Sequence, residues 1–193
     1  GVPAVILFGV PEHKDAEGSG ASDPDGIVQL AIKDLRDAHG DRVVVMADLC
    51  LDEYTDHGHC GLLTDTGEVD HDATIERYGW AGLAQAEAGV DLVLHASFLD
   101  DAAVAALVEA GTAVAPTFTF LANLADHGDR VGAMTTQVDL FRGEIAATAE
   151  RLRAAYDAGV PLLCGSESGF SLTPYGHWHA REMEVFVEAL GLT

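Results

Sequence analysis

The sequence predicts an α/β fold: a partial, TIM-barrel-like parallel sheet of about five β/α units, with a flavodoxin-like open sheet as the alternative. Three observations predict it. Apolar runs of strand length alternate with amphipathic stretches along all 193 residues. The strand-like runs are continuously apolar rather than alternating, as expected where helices cover a parallel sheet. Residues capable of chemistry gather where those runs end, at the carboxyl ends of the strands.

The elements follow in order. "AVILFGV" (4–10) is a strand, followed by the Gly-rich, acidic loop "PEHKDAEGSGASDPDG". That loop precedes a helix but carries no phosphate-loop pattern, so it reads as a surface loop or lid. "PDGIVQLAIKDLRDAHG" (24–40) is a helix with Asp23 as N-cap, Pro24 at the first helical position and Gly40 as the stop. "RVVVMADL" (42–49) is the second strand, and after a polar loop "HDATIERYGWAGLAQAEAG" (71–89) is a helix ended by Gly89. "VDLVLHAS" (90–97) is the third strand, and "LDDAAVAALVEAG" (99–111) a helix stopped by Gly111. "TAVAPTFTF" (112–120) is a fourth strand that Pro116 makes irregular. A loop with a short helix fills 121–135, and "DLFRGEIAATAERLRAAYDAG" (139–159) is a long helix. "VPLLCGSES" (160–168) is a fifth strand, and "GHWHAREMEVFVEALG" (176–191) a last helix. A complete eight-unit barrel needs about 250 residues. This chain is shorter, and it is expected to fold as one domain over 1–193.

Composition narrows the function. Ten Lys and Arg stand against 32 Asp and Glu, a formal net charge of −22. So acidic a chain repels phosphates and anionic lipid, which disfavours nucleic acid and membrane surfaces as partners; a small-molecule substrate is the expected partner if the chain is active. Three cysteines without framework spacing, no apolar run of spanning length and no signal pattern point to a reducing, cytoplasmic setting. Gly1 stands where a Met would begin a gene product, as in a fragment. Barrel-derived edges left open favour a homo-oligomer.

The rim of strand ends carries the chemistry. Strand two ends in Asp48 and Cys50, strand three in His95 and Ser97, strand four in Thr117 and Thr119, and strand five in Ser166 and Glu167. The stretch "ADLCLDEYTDHGHCGLL" (47–63) adds Cys60, Asp52, His57 and His59. Thiolate and imidazole suit Zn2+, and carboxylates suit harder ions such as Mg2+. The nine residues between the cysteines fit no zinc-finger or ribbon spacing, so spacing leaves two readings open: a metal site, or a polar loop with solvated histidines. In "YGHWHARE" (175–182), His177 and His179 flank Trp178 at a helix start, as capping or functional histidines.

Residues 1–91 resemble the porphobilinogen synthase (δ-aminolevulinic acid dehydratase) family. The match rests on "GVPAVILFGVPEHKD", "GSGASDPDGIVQLAIKDLR", "ADLCLDEYTDHGHCGLL", "GEVDHDATIERY" and "LAQAEAG". In that family D-x-C-x-C…H-G-H-C holds a catalytic zinc. The resemblance implies that Cys50 and Cys60 match the first and third ligands, that Asp52 replaces the middle cysteine, with Asp52 or His59 as a further ligand, and that Asp48 matches an active-site aspartate. It also implies a hydro-lyase of heme biosynthesis that condenses two 5-aminolevulinate molecules through Schiff-base lysines. The only lysines here, Lys14 and Lys33, match neither.

Residues 92–193 resemble metal-dependent amidohydrolases of the imidazolonepropionase-like group, through "VDLVLHASFLDDAAVAALVEAGTAVAPTFTF" and "AAYDAGVPLLCGSESGFSLTPYGHWHAREMEVFVEALGLT". There His95 matches a metal-ligating histidine, Glu167 stands at the position of a metal-site aspartate, and His177 and His179 border the substrate pocket. No strand-end His-x-His precedes His95. The chain therefore reads as a chimera of two barrel fragments joined inside "LAQAEAGVD". Three functions compete: a porphobilinogen-synthase-derived protein with a metal site, an amidohydrolase-like hydrolase of cyclic amide or other C–N bonds, and a non-catalytic half-barrel scaffold.

Overall fold

The computed structural model of the chain describes residues 1–96, 99–169, 172–176 and 179–193. Four strands form one parallel sheet in the order β1-β2-β3-β4: β1 Ala4–Leu7, β2 Val44–Asp48, β3 Leu92–Leu94 and β4 Ala113–Ala115. Spatial order equals chain order, so there is no switch point, and right-handed crossovers place the connecting helices on one face. This is the partial barrel and not the flavodoxin-like alternative, whose strand order reverses once.

Side-chain alternation shows which face the helices cover. Val45, Ala47, Val93 and Val114 are buried, in one cluster with Ile32 of α1 (Ile27–His39) and Leu107 of α3 (Asp101–Ala110). The intervening residues Ile6, Met46, Leu92 and Ala113 lie in register across the sheet, and none of the four is buried. α1 packs on α2 (His71–Ala88) and α2 on α3, while α4 (Phe118–His127) and α6 (His179–Leu190) pack on α5 (Thr135–Ala158).

Local chemistry sets the helix limits. Asp70 and Asp100 cap α2 and α3, each accepting from the backbone N–H three residues on, at 3.1 and 2.7 Å. Gly89 ends α2 with φ 95, a left-handed value that a Cβ would penalise, and its N–H returns to Ala86 and Gln85. Beneath it, Arg36 donates to the Gly89 carbonyl at 2.7 Å and pairs with Asp91, whose carboxylate also accepts from the Val45 N–H. The amino-terminal end of the sheet is thereby tied to α1.

Three sequence expectations need correction. The first helix begins at Ile27, not beside Asp23, whose side chain instead accepts from the Asp25 N–H in a local turn. The fourth strand stops at Ala115: Thr117 turns left-handed at φ 57 and 118–127 becomes α4. Of the fifth strand, only one parallel bridge forms among the described residues, Val114 to Leu162. The sheet is one strand narrower than predicted.

Candidate functional site

The loop after β2 is held at both ends. Leu51 and Tyr54 are buried in the core. Asp56 donates its N–H to the Asp15 carbonyl at 3.0 Å, and Thr55 its hydroxyl to the His59 carbonyl at 3.0 Å. Downstream, the Leu62 N–H reaches the Thr74 hydroxyl of α2 at 2.9 Å. This frame brings the sulfurs of Cys50 and Cys60 to 3.0 Å, and one ligand atom from each of Cys50, Asp52 and Cys60 within 4.8 Å of the others. The Tyr78 hydroxyl from α2 closes the group, donating to the Cys60 carbonyl at 3.0 Å, with the Cys50 sulfur at 3.7 Å.

The hydrogen bond to Cys60, with burial, holds the Cys50 thiol well above its ordinary range; the same bond lowers Cys60. Burial raises the Tyr78 phenol, aided by Cys50. Burial also raises Glu53, with Asp52 adding to it.

His59 stands outside this group of three. Its Nδ1 accepts from the Gly61 N–H at 2.8 Å, while His57 Nδ1 accepts from the His59 N–H at 3.2 Å. Cys164, exposed, is also outside it.

A second cluster lies beside the first, on the strand ends. His95 Nε2 meets Asp48 Oδ1 at 2.9 Å; its Nδ1 meets the Thr117 hydroxyl at 2.8 Å and Glu167 Oε2 at 3.8 Å. Burial works against an imidazolium here, but the Asp48 hydrogen bond and charge outweigh it, so the His95 pKa is raised. Burial also raises Glu167, which the facing His95 partly offsets. His95, Ala96, Thr117 and Glu167 all have positive φ, four of the five such non-glycine residues among those described. Backbone strain of this kind gathers where a fold holds side chains for a task. Of the remaining predicted residues, His179 opens α6, while Ser97 and His177 lie outside the described residues.

Two residues at the rim were not foreseen. Tyr78 is one. The other is Glu182 of α6, fully buried, whose carboxylate accepts from the Phe118 and Thr119 N–H groups at 2.9 and 2.7 Å and from the Thr119 hydroxyl at 2.6 Å. It caps α4 from a distance, where Thr117 offers no side-chain cap. A signal for it exists: Glu182 falls three, four and eight residues before Val185, Phe186 and Leu190, on the apolar stripe of its helix.

Two surface grooves lie between α5 and α6 and between α3 and α5, and no strand-end residue lines either. The chemistry sits on an open rim.

The chain matches the family model of delta-aminolevulinic acid dehydratase over residues 1–115. The delta-aminolevulinic acid dehydratase of Streptomyces coelicolor is 53% identical over 102 residues, covering 52% of this chain and 31% of that protein. That of Mycobacterium leprae is 52% identical over the same length, with the same shares. The chain thus spans about a third of the length of these curated relatives, at 31%. Among solved structures, the delta-aminolevulinic acid dehydratase (porphobilinogen synthase) of Toxoplasma gondii ME49, in complex with its reaction product porphobilinogen, aligns with a TM-score of 0.56 at 24% identity, covering 85% of this chain and 51% of that one. An ochratoxinase of A. niger aligns with a TM-score of 0.56 at 17% identity over 89% of this chain and 30% of its own. A prolidase complexed with N-methylphosphonate-L-proline gives 0.51 at 23%, over 84% of this chain and 33% of its own. At these identities the structural likenesses speak for the barrel-type fold alone.

Proposed function

This chain belongs to the delta-aminolevulinic acid dehydratase family, and from that premise we propose that it keeps the family's metal-binding loop without the means to complete the family's condensation. One observation carries the reading: Cys50, Asp52 and Cys60 converge within 4.8 Å on the loop that matches the family motif. The donors fit a divalent ion. Two thiolates favour Zn2+, and the carboxylate that stands in place of a third sulfur widens the choice to Mg2+. Two sulfurs on one tetrahedral zinc lie roughly 3.8 Å apart at Zn–S bonds of about 2.3 Å, so the pair opens by less than an ångström to bind. Bound there, the ion supplies Lewis-acid polarisation of a substrate oxygen.

The chain's own residues do the rest. Asp48, at the end of β2, is the candidate catalytic acid–base group, and its bond to His95 fixes its orientation. Cys50 and Cys60 would hold the ion as thiolates, and Tyr78 holds the Cys60 backbone in place. A small-molecule substrate with a ketone would need an amine nucleophile. Lys33 donates to the Pro24 carbonyl at 2.7 Å beside α1, and Lys14 lies in the loop after β1, where its charge acts on Glu53; neither matches the family's Schiff-base lysines. Condensation of two 5-aminolevulinate molecules therefore lacks its covalent anchor, and the non-catalytic scaffold is the state of this chain by itself.

A second reading, the amidohydrolase-like hydrolase, is favoured by one geometric fact: His95 and Glu167 meet at the rim, where that family would place metal ligands, with His177 and His179 following in sequence. In both readings 1–193 is one α/β domain, with a dehydratase-like segment (1–91) joined to an amidohydrolase-like one (92–193). No described helix is long and apolar enough to cross a membrane. A reducing, cytoplasmic setting, which keeps the thiols free, and self-association belong to the same proposal. The test is metal analysis of the purified protein beside Cys50→Ala. Near-stoichiometric metal in the first and its loss in the second are expected; equal content in both overturns the assignment.

A further inference from the structure

We propose that Glu182 is a positioning residue for the rim: by capping α4 from α6 it frees the Thr117 hydroxyl, which in turn fixes the ring of His95 against Asp48. The functional meaning of this relay rests on Asp48 as the acid–base group; its contacts and its test need neither metal nor turnover.

Thr117 stands where β4 gives way to α4, just before the first helical residue. A threonine there ordinarily turns its hydroxyl onto the free amides of its own helix. Here it makes no such bond. The Glu182 carboxylate takes those amides instead, from Phe118 at 2.9 Å and Thr119 at 2.7 Å, together with the Thr119 hydroxyl at 2.6 Å. The Thr117 hydroxyl is left for the rim. It donates to the Pro116 carbonyl at 2.7 Å, and its oxygen lies 2.8 Å from His95 Nδ1. With its own proton spent on a carbonyl, that oxygen accepts, so Nδ1 carries a proton. The opposite ring nitrogen, Nε2, meets Asp48 Oδ1 at 2.9 Å. Glu167 Oε2, 3.8 Å from Nδ1, is too far for a hydrogen bond. Thr117 is thus the group that sets the ring.

Backbone geometry ties the two ends of the relay together. Thr117 has φ 57, whereas a parallel strand runs near about −120°. Returning it to the extended conformation would swing its Cβ by close to half a turn about the N–Cα bond and take the hydroxyl off His95. The run 112–120 has strand composition, and a β-branched residue avoids the left-handed region, so the turn needs support from elsewhere. Glu182 supplies it. Fully buried where α6 packs on α4, it holds the first amides of α4 in the place where the left-handed Thr117 presents them. A cap alone was available from Thr117 itself, without the cost of burying a carboxylate. What the costlier arrangement adds is the contact with His95.

The test is proton NMR of the His95 ring in the protein as purified, at one fixed pH. A hydrogen-bonded Nδ1–H gives a signal downfield of the amides. It should be present in the parent chain and lost to exchange with water in Thr117→Val, which has the same shape without the hydroxyl. It should be lost likewise in Glu182→Ala. Leu107→Ala opens a cavity beneath α3, and should lower stability yet keep the signal. Should Glu182→Ala fail to fold, Glu182→Gln decides: with one acceptor oxygen left the signal should weaken, and an undiminished signal overturns the proposal. Survival of the signal in Glu182→Ala overturns the role of Glu182. Survival in Thr117→Val means that another acceptor serves Nδ1, and overturns the relay. Loss in Leu107→Ala reduces the effect to general loosening and overturns it too. Metal content is measured separately, so failure of the metal assignment and failure of this relay are told apart.

Discussion

Replacing Glu182 by Ala should destabilise the protein by about 2–5 kcal/mol, far more than its place on a terminal helix suggests. The carboxylate takes the first two free N–H groups of α4, Phe118 and Thr119, and the Thr119 hydroxyl besides. All of this is buried, with Glu182 and Thr119 at 0% exposure and Phe118 at 1%, so water cannot replace the lost acceptor. An orphaned buried donor costs about 1–3 kcal/mol; three lose this acceptor, the two amides and the Thr119 hydroxyl, and the two amides, which cannot rotate to another partner, set the figure. Relief of the buried charge returns part of that, since burial already raises the Glu182 carboxyl against the pull of its hydrogen bonds. Glu182→Gln keeps one acceptor oxygen and should cost less than Ala. Urea unfolding with unchanged slope measures both, and amide exchange at Phe118 and Thr119 should quicken in the Ala variant. An Ala variant within about 0.5 kcal/mol of the parent, with exchange at those two amides unaltered, would refute the reasoning.

Two further outcomes follow from the rim. His95 should titrate above its ordinary 6.5, so its contribution to stability is fully present below that pH and is lost as pH rises through the higher folded value; Asp48→Asn should bring the NMR-detected midpoint down, and an unmoved midpoint would remove Asp48 as the cause. Borohydride treatment with 5-aminolevulinate should leave the mass of the chain unchanged, because neither Lys14 nor Lys33 matches the family's Schiff-base lysines; an adduct on either with turnover would restore the Schiff-base route.

Much of this architecture was legible in the sequence because its determinants are local. Apolar runs place β1 to β3, and Gly89, Gly111 and Gly159 end their helices in the left-handed conformation that the pattern of stops implies. The gathering of polar residues at strand ends located the rim, and the Cys50–Cys60 loop was marked by its residue types. What escaped was non-local. "TAVAPTFTF" has strand propensity throughout, yet Pro116, the turn at Thr117 and the cap offered by Glu182 convert its second half to helix. The fifth run has strand composition but forms only one bridge among the described residues, Leu162 to Val114. Asp23 has the chemistry of a cap, but its carboxylate accepts from the nearer Asp25 N–H. The pairing of Asp48 with His95 joins the ends of two different strands, and no spacing along the chain encodes it.

Cobalt titration of the metal-free, reduced protein tests the central claim most directly, because thiolate-to-cobalt charge-transfer absorption reports which sulfurs bind. The account predicts saturation at one ion per chain, with absorption of two-thiolate intensity that falls by about half in Cys50→Ser and in Cys60→Ser, stays unchanged in Cys164→Ser, and weakens in affinity in Asp52→Ala. Absence of a charge-transfer band, or a band indifferent to Cys50 and Cys60, would contradict it.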